Sequence, residues 1–224
     1  MGETVEPESG LFRVTLSAQG KTPAMDLYRL LERFGVSPAS EYKLSIMKIR
    51  TSPVIDGESA DQGWLMAETD LRFIEDDFTS DGPNSTRVKA GYDIGHLYLL
   101  KDSPSLSTSD GDVEYIVIGF DTNHNGGIDY TFEIDKNSQV FGQKDSVTCW
   151  DSEINAHIGL TTDGWILEVA IPFSALEWDK EIENNTWGFN LSHGVRGQNT
   201  RLRSWPPTLG QPSNAQRYGD LVFQ

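Results

Sequence analysis

From residue 43 onward the sequence is a succession of short strand patterns separated by turn signals, and this restricts the fold most. Ile128, Tyr130, Phe132 and Ile134 alternate with polar residues, as in a strand with one buried face. The 21 glycines and 10 prolines supply the turns between strands. The predicted strands are Tyr42–Ile49, Arg87–Tyr92, His96–Leu100, Val113–Phe120, Ile128–Ile134, Ile154–Leu160, Trp165–Ile171, Thr186–Ser192 and Tyr218–Phe223. This spacing predicts an all-β fold, a two-sheet antiparallel β-sandwich of jelly-roll-like form.

Residues 1–42 have a different pattern, which predicts an N-terminal extension followed by the sandwich domain at 43–224. Leu11–Leu16 alternates like one short strand. A helix is predicted over 22–35, with a proline in its first turn and a glycine at its end. The pattern indicates a packing appendage of the sandwich or the remnant of a neighbouring domain. Ser174–Trp178 is the only helical turn expected within the sandwich.

The charge of the chain excludes several classes of partner. Its 224 residues carry 18 basic and 34 acidic side chains, which gives a formal net charge of −16. Nucleic acid and anionic membrane surfaces repel so acidic a protein. No run of the sequence approaches 18 apolar residues, so we predict no membrane insertion. The single cysteine, Cys149, excludes an internal disulfide, and the first residues lack the basic and apolar regions of a secretory signal.

The sharpest local motif is the segment Asp-Thr-Asn-His-Asn-Gly-Gly-Ile-Asp, which begins at Asp121. Asp121, Asn123, Asn125 and Asp129 place oxygen ligands at positions 1, 3, 5 and 9, with glycine at position 6, as in a calcium-binding loop. Position 12 is Phe132 and not the bidentate glutamate of an EF-hand. The motif therefore predicts a calcium-stapled hairpin, with a polar Asn-Gly turn as the alternative.

Seven longer motifs follow one another between residues 53 and 221. They are Pro53-Val-Ile-Asp-Gly, Tyr92-Asp-Ile-Gly-His-Leu-Tyr-Leu-Leu-Lys-Asp, Tyr115-Ile-Val-Ile-Gly-Phe-Asp, Asp163-Gly-Trp-Ile-Leu-Glu-Val-Ala-Ile-Pro-Phe, Trp187-Gly-Phe-Asn, Ser204-Trp-Pro and Tyr218-Gly-Asp-Leu. In this order they resemble the family 9 carbohydrate-binding modules and their DOMON-like relatives, over roughly residues 43–224. The resemblance implies an antiparallel sandwich, bound calcium and fusion to a polysaccharide-active enzyme. It also implies an extracellular or periplasmic location.

The resemblance also marks the positions where family 9 modules contact sugar. In the well-understood branch, two tryptophans sandwich a sugar, while an acidic and a basic strand residue bind its hydroxyls. The acidic position falls on Val117 and the basic position on Glu133, and the tryptophan positions fall near Pro212 and Gly111. None of the four residue types is kept here. The resemblance therefore applies to the scaffold. Sugar binding at the cleft that family 9 modules use would need different contacts in this chain.

Six tryptophans are many for this chain, and they divide into two groups. Trp64, Trp165 and Trp187 lie in core-like patterns and are predicted to be buried. Trp205 and Trp150 lie among polar residues, where an exposed ring would stack on the apolar face of a sugar. We therefore predict that these two rings contact a glycan.

Three arginines lie close to Trp205 in one predicted loop: Arg196, Arg201 and Arg203. The guanidinium group binds sugar hydroxyls, carboxylates or sulfates through its fixed fork of donors. Pairing with some of the chain's own acids is the alternative. We predict a glycan-contact surface of Trp205 with these arginines, whose charge would favour acidic glycans.

Together these patterns predict a non-catalytic, calcium-stabilised module that binds a polysaccharide or oligosaccharide. The sequence contains no nucleophile elbow, zinc-protease motif or phosphate loop, and no signature marks two carboxylates as a glycosidase pair. An enzyme or haem-binding redox module on the same sandwich is one alternative, with Met47, Met66 and the histidines as the ordinary axial ligands. A surface or adhesion domain without a sugar site is another.

Overall fold

The computed structural model describes residues 42–69, 74–75, 86–107, 111–145, 147–150, 153–197, 200–208 and 211–224. The strand and helix predicted at 11–16 and 22–35 lie outside the described residues. Within the described part, strands and three short 3-10 turns are the regular elements, and no helix there is long and apolar enough to cross a membrane. The predicted all-β class is confirmed.

The strands are short and are separated by turns, as the sequence predicts. They are β1 (Lys43–Lys48), β2 (Glu68–Thr69), β3 (Ile74–Glu75), β4 (Arg87–Tyr92), β5 (His96–Pro104), β6 (Val113–Asp121), β7 (Tyr130–Asp135), β8 (Val140–Lys144), β9 (Val147–Trp150), β10 (Asn155–Leu160), β11 (Gly164–Pro172), β12 (Thr186–Arg196), β13 (Arg201–Trp205) and β14 (Gly219–Phe223). All nine predicted strands are present, and the structure adds β2, β3, β8, β9 and β13. The 3-10 turns are Gln62–Met66, Phe173–Leu176 and Ala215–Arg217, of which the second overlaps the predicted helical turn.

Hydrogen bonds arrange the strands in two sheets that are joined through β1. The first sheet runs β14-β12-β6-β7-β8-β9, with β13 paired to the second half of β12. The second sheet runs β10-β11-β5-β4. The pairs within these two series are antiparallel. β1 departs from the predicted antiparallel pairing, because residues 43–46 run parallel to β14 and residues 47–48 parallel to β4.

The second sheet is buried on both faces of its central strands, whereas part of the first sheet faces solvent. The main core draws on both sheets and includes Trp165 and Trp187, each at most 1% exposed. A smaller cluster around the fully buried Trp64 covers the other side of β5 and β11 through residues such as Leu100 and Ile166. The predicted burial of these three tryptophans is confirmed. An accessible sheet surface is therefore found on the outer face of the first sheet.

Candidate functional site

The outer face of the first sheet brings together side chains from three strands. In β7, Thr131 and Glu133 alternate with core residues and point away from the core. Strand pairing places Val117 of β6 opposite Glu133, and Gln143 of β8 opposite Thr131. Because cross-strand partners share a face, these four side chains form one continuous surface.

The segment 211–216 lies along one side of this surface and forms the second wall of a cleft. Tyr218 holds the wall in place, because its hydroxyl donates a hydrogen bond to the carbonyl oxygen of Pro212 at 2.8 Å. The Tyr218 ring lies against Gly119 of β6, where a side chain would collide with it. The sheet and the wall enclose an open cleft of about 680 Å³. This volume is within the usual range of small-ligand sites.

The lining of the cleft is polar and acidic. Asp129, Glu133 and Asp145 contribute carboxylates, and no lysine or arginine is found among the described residues that line it. The amide side chains of the lining are Gln143, Gln211, Asn214 and Gln216. Amides donate and accept hydrogen bonds, whereas ionised carboxylates only accept them. This mixture suits a ligand with many hydroxyl groups.

Three of the four positions that the family resemblance marks for sugar contact meet in this cleft. Val117, Glu133 and Pro212 all line it. The fourth position, Gly111, is exposed to solvent and is not among the lining residues. None of the residue types that the resemblance implies at these positions is present.

Arg196 lies beside the cleft, on the same face of the sheet. Its guanidinium donates to Oε2 of Glu133 at 2.6 Å and lies over the Tyr115 ring, 4.1 Å from the ring centroid. The hydrogen bond to Glu133 raises the pKa of Arg196, although partial burial opposes the shift. The structure therefore brings one predicted arginine to the edge of the site, where it pairs with an acid of the chain.

β13 places the other predicted contact residues on the opposite face. Arg201, Arg203 and Trp205 pair with buried residues of β12 and share the core side with them. Trp205 is 5% exposed, and its ring centroid lies 6.2 Å from that of Tyr42 and 6.0 Å from that of Phe189. The prediction of an exposed Trp205 ring is wrong, because these aromatic neighbours enclose it in the core.

The predicted surface of Trp205 with three arginines is therefore divided between two faces. Arg196 pairs with Val113 of β6 in the register of the sheet and lies on the outer face with Tyr115, whereas Arg201 and Arg203 lie on the side of Trp205. The segment is also a hairpin of β12 and β13 rather than the single loop predicted. Trp150 ends β9, and its side chain lies outside the described residues, so its glycan contact stays a prediction.

In the predicted calcium loop between β6 and β7, the carboxylates accept hydrogen bonds from backbone N–H groups of the same loop. Asp121, 3% exposed, accepts hydrogen bonds from two backbone N–H groups of the loop at 3.0 and 2.7 Å. Asp129 accepts from backbone and side-chain groups of Thr122 and Asn123 at 2.7 to 3.3 Å. Within the described residues, no group of three or more acidic, histidine or cysteine side chains is arranged to hold a metal. Two of the four predicted ligands are asparagines, which such a group does not include, so calcium at this loop stays a prediction. The hydrogen bonds themselves are those of the polar turn.

A second charged cluster lies on the core side of the first sheet. Glu114 accepts hydrogen bonds from Nε2 of His193 and from Nε1 of Trp165, each at 3.0 Å. The other ring nitrogen of His193, Nδ1, lies 3.1 Å from Nζ of Lys101. A neutral imidazole satisfies both contacts, since Nδ1 accepts from the ammonium while Nε2 donates to the carboxylate.

The surroundings of this cluster keep His193 neutral and Glu114 ionised. Burial, followed by the charge of Lys101, lowers the pKa of His193 to about 3. Burial acts to raise the pKa of Glu114, but its hydrogen bonds, first from His193, outweigh burial and lower the pKa below its usual range. Glu114, His193 and Lys101 are each at most 3% exposed, so the cluster is closed to a substrate. Both nitrogens of His193 are engaged, which removes it from the axial ligands of the haem alternative.

Sequence reasoning missed the side chains that give the cleft its chemistry. Gln143 lies in β8, whose sequence has no clear apolar alternation, and Asp145 follows that strand. The segment 211–216 has the turn-rich sequence Gln-Pro-Ser-Asn-Ala-Gln, which indicates a loop and nothing about its neighbours. Only the pairing of β8 with β7 and the contact of Tyr218 with β6 bring these groups together.

No protein-family model and no curated protein matches the sequence. Solved structures do share its fold. A family 9 carbohydrate-binding module from Caldicellulosiruptor kristjanssonii in complex with cellotriose has a TM-score of 0.63 at 19% identity, covering 81% of this chain and 93% of that one. A family 9 module from the same organism in complex with glucose gives 0.61 at 19% identity, covering 81% and 95%. A proposed carbohydrate-binding protein from Bacteroides uniformis gives 0.57 at 15% identity, covering 82% and 99%. The chain thus has the β-sandwich fold of family 9 carbohydrate-binding modules.

Proposed function

We propose that this chain is a carbohydrate-binding module whose glycan occupies the cleft between the first sheet and the segment 211–216. The observation that carries the proposal is the meeting of Val117, Glu133 and Pro212 in one open cleft of about 680 Å³. These are positions that the family resemblance assigns to sugar contact. The fold is shared with modules solved with cellotriose and glucose, which supports a saccharide ligand here.

The lining favours a neutral glycan over an acidic one. A uronate or sulfate in the cleft would face the carboxylates of Asp129, Glu133 and Asp145, and like charges repel one another strongly where water is partly excluded. Neutral hydroxyls, in contrast, donate to carboxylates and accept from amides. The nearby cation, Arg196, is already bound to Glu133. The expected preference for neutral glycans replaces the preference for acidic glycans predicted from the sequence, because that prediction required three arginines on one surface.

The proposed module is non-catalytic. The carboxylate of Glu114 is enclosed in the core, and that of Glu133 is bound to Arg196. Neither is therefore placed as a free acid or nucleophile beside the cleft. Asp129 accepts hydrogen bonds from Thr122 and Asn123, which leaves Asp145 among the carboxylates of the described lining, whereas a glycosidase requires two. The family resemblance supports a position in an exported polysaccharide-active protein, outside the cell or in the periplasm. Calcium at the loop that begins at Asp121 stays a prediction, because an ionised carboxylate can accept hydrogen bonds within the loop and bind an ion through its remaining lone pairs.

The test is calorimetric titration with neutral and uronic-acid oligosaccharides. Thr131→Trp fills the cleft from the middle of β7, and Gln143→Ala removes one amide from its lining. Glu153→Gln is the matched control, since Glu153 is exposed just before β10 in the second sheet. We expect neutral glycans to bind the wild type and the control equally and to bind Thr131→Trp at least tenfold more weakly, which is about 1.4 kcal/mol.

Two results would contradict the proposal. One is the absence of binding by every neutral glycan in a broad array. The other is a Thr131→Trp protein that melts and binds like the wild type. If uronic-acid glycans bound more tightly than neutral ones, the cleft would still be the site, but the preference argued from its carboxylates would be wrong.

A further inference from the structure

Phe141 is an exposed aromatic residue next to the cleft. It is 55% exposed, although Val140 before it packs against the core and Gly142 after it is buried. Phe141 pairs with Glu133 of β7, and Gln143, two residues further along β8, lines the cleft. Because alternate residues of a strand share a face, the Phe141 ring lies on the cleft side of the sheet, directly beyond Glu133.

Glu133 connects this ring to the cleft and is held in a fixed position. Its Oε2 accepts the hydrogen bond of Arg196 at 2.6 Å, and Arg196 is itself held over the Tyr115 ring. The Glu133 side chain remains 27% exposed. A ring beside a fixed carboxylate and guanidinium suits a pyranose, because the apolar C–H face packs on the ring while hydroxyl groups reach the charged atoms.

We infer that Phe141 forms a second sugar subsite, continuous with the cleft, for a neutral pyranose unit of an oligosaccharide. The inference rests on the proposed function, because the first unit of the same ligand lies between Val117 and the segment 211–216. β8 and β6 are separated by one strand, so Phe141 and Val117 are about 10 Å apart across the sheet. One pyranose ring is too short to contact both Phe141 and Val117, whereas two or three linked units are long enough.

A stacked ring that is half-exposed contributes modestly to affinity. Aromatic contacts of this kind change affinity by about threefold to tenfold. The effect must appear only with ligands long enough to reach Phe141. This dependence on ligand length separates a subsite from a general effect on the fold.

The experiment compares Phe141→Ala and Phe141→Trp with the wild type, using calorimetry and thermal melts. The ligands are the monosaccharide and the trisaccharide of whichever neutral series binds the wild type best, among gluco-, xylo- and manno-oligosaccharides. Val147→Ala is the matched control, since Val147 is 66% exposed on the adjacent β9 and pairs with Lys144 rather than with a residue of the cleft. We expect Phe141→Ala to weaken the trisaccharide about threefold to tenfold and to leave the monosaccharide unchanged. Phe141→Trp should retain the affinity for the trisaccharide.

The outcomes distinguish this inference from the proposed function. Equal affinities of the wild type and Phe141→Ala for both ligands overturn the subsite and leave the cleft as the site. An equal loss for both ligands also overturns it, because the change would then act on the cleft itself. If no neutral series binds the wild type, the proposed function fails and the subsite fails with it.

Discussion

The two faces of the first sheet each carry a glutamate paired with a basic side chain, in neighbouring strands and in different surroundings. On the core face, Glu114 of β6 is 1% exposed and bonds to His193 at 3.0 Å. On the outer face, Glu133 of β7 is 27% exposed and bonds to Arg196 at 2.6 Å. The shorter contact is thus the solvated one.

Burial, rather than the length of the hydrogen bond, decides how much each pair contributes to the stability of the fold. Glu114 accepts hydrogen bonds from groups of several chain segments, including Trp165 and the N–H of Leu106, and removing the carboxylate would leave these buried donors without an acceptor. The pair of Glu133 is open to water, which replaces a lost partner and screens the charges, so such pairs stabilise proteins little. The inner pair therefore serves the fold, while the outer pair stays accessible to solvent and, in the proposed module, to a glycan.

The largest expected effect is the difference in stability between matched substitutions of the two glutamates. Glu114→Gln should lower the free energy of unfolding by about 2–3 kcal/mol, because charged hydrogen bonds in the core are lost. Glu133→Gln should lower it by less than about 1 kcal/mol while weakening glycan binding. Urea denaturation measures the first quantity and calorimetric titration the second. Similar losses of stability in both variants would break the comparison.

An intermediate effect is expected from pH. His193 has a pKa of about 3 in the folded protein and about 6.5 when unfolded, so between these values the unfolded chain binds the extra proton. The contribution of neutral His193 to the free energy of unfolding should be fully present above pH 6.5. On acidification below that value, the free energy of unfolding should fall by up to about 1.4 kcal/mol per pH unit. The lowered pKa of Glu114 adds a loss in the same direction below its ordinary value.

The measurement is the free energy of unfolding at several values between pH 5 and 6.5, before carboxylates in general titrate. His193→Gln should flatten the slope in this interval, even if it lowers stability throughout. As a control, the exposed His157 lies in β10 of the second sheet, and His157→Gln should keep the slope of the wild type. A wild-type slope in the His193 variant would mean that the folded protein carries a charged imidazole there.

The smallest expected effect is that of calcium removal. If the loop is only the polar turn, in which Asp121 and Asp129 accept hydrogen bonds, EDTA should leave the melting temperature unchanged. An ion that binds only the folded state would instead raise stability by about 2.7 kcal/mol at a hundredfold excess over its Kd. A fall in melting temperature that calcium reverses and magnesium does not would confirm the calcium prediction made from the sequence.

Local patterns predicted the strands whose two faces differ in polarity and the strands that are apolar over most of their length. The alternation around Phe132 predicted β7, and the apolar run from Trp165 predicted β11. β13 was missed because its sequence, Arg-Leu-Arg-Ser-Trp, places one apolar side chain on each face. Its existence depends on pairing with β12, and the parallel pairing of β1 likewise depends on strands distant in sequence.

In the candidate site too, sequence neighbours did not predict the features that depend on contacts between distant segments. Trp205 has polar and proline neighbours in the sequence, which predicted exposure, but Tyr42 and Phe189 cover it in the folded chain. The cleft position at Val117 and Glu133 came from resemblance to a family and not from the residues themselves. The amides that line it belong to segments that meet only through tertiary packing, so no local pattern could reveal them.

β1 also determines when the domain can be completed during folding. Leu44 pairs with Leu221 near the other end of the domain, and Met47 pairs with Gly91, so one strand of six residues links both sheets. Contacts between residues so far apart in sequence form late, because a long loop must close first. The sheets can therefore be joined only after residues 219–223 are available. Deleting this short strand would break the hydrogen-bonded continuity between the two sheets and leave them joined through their shared core.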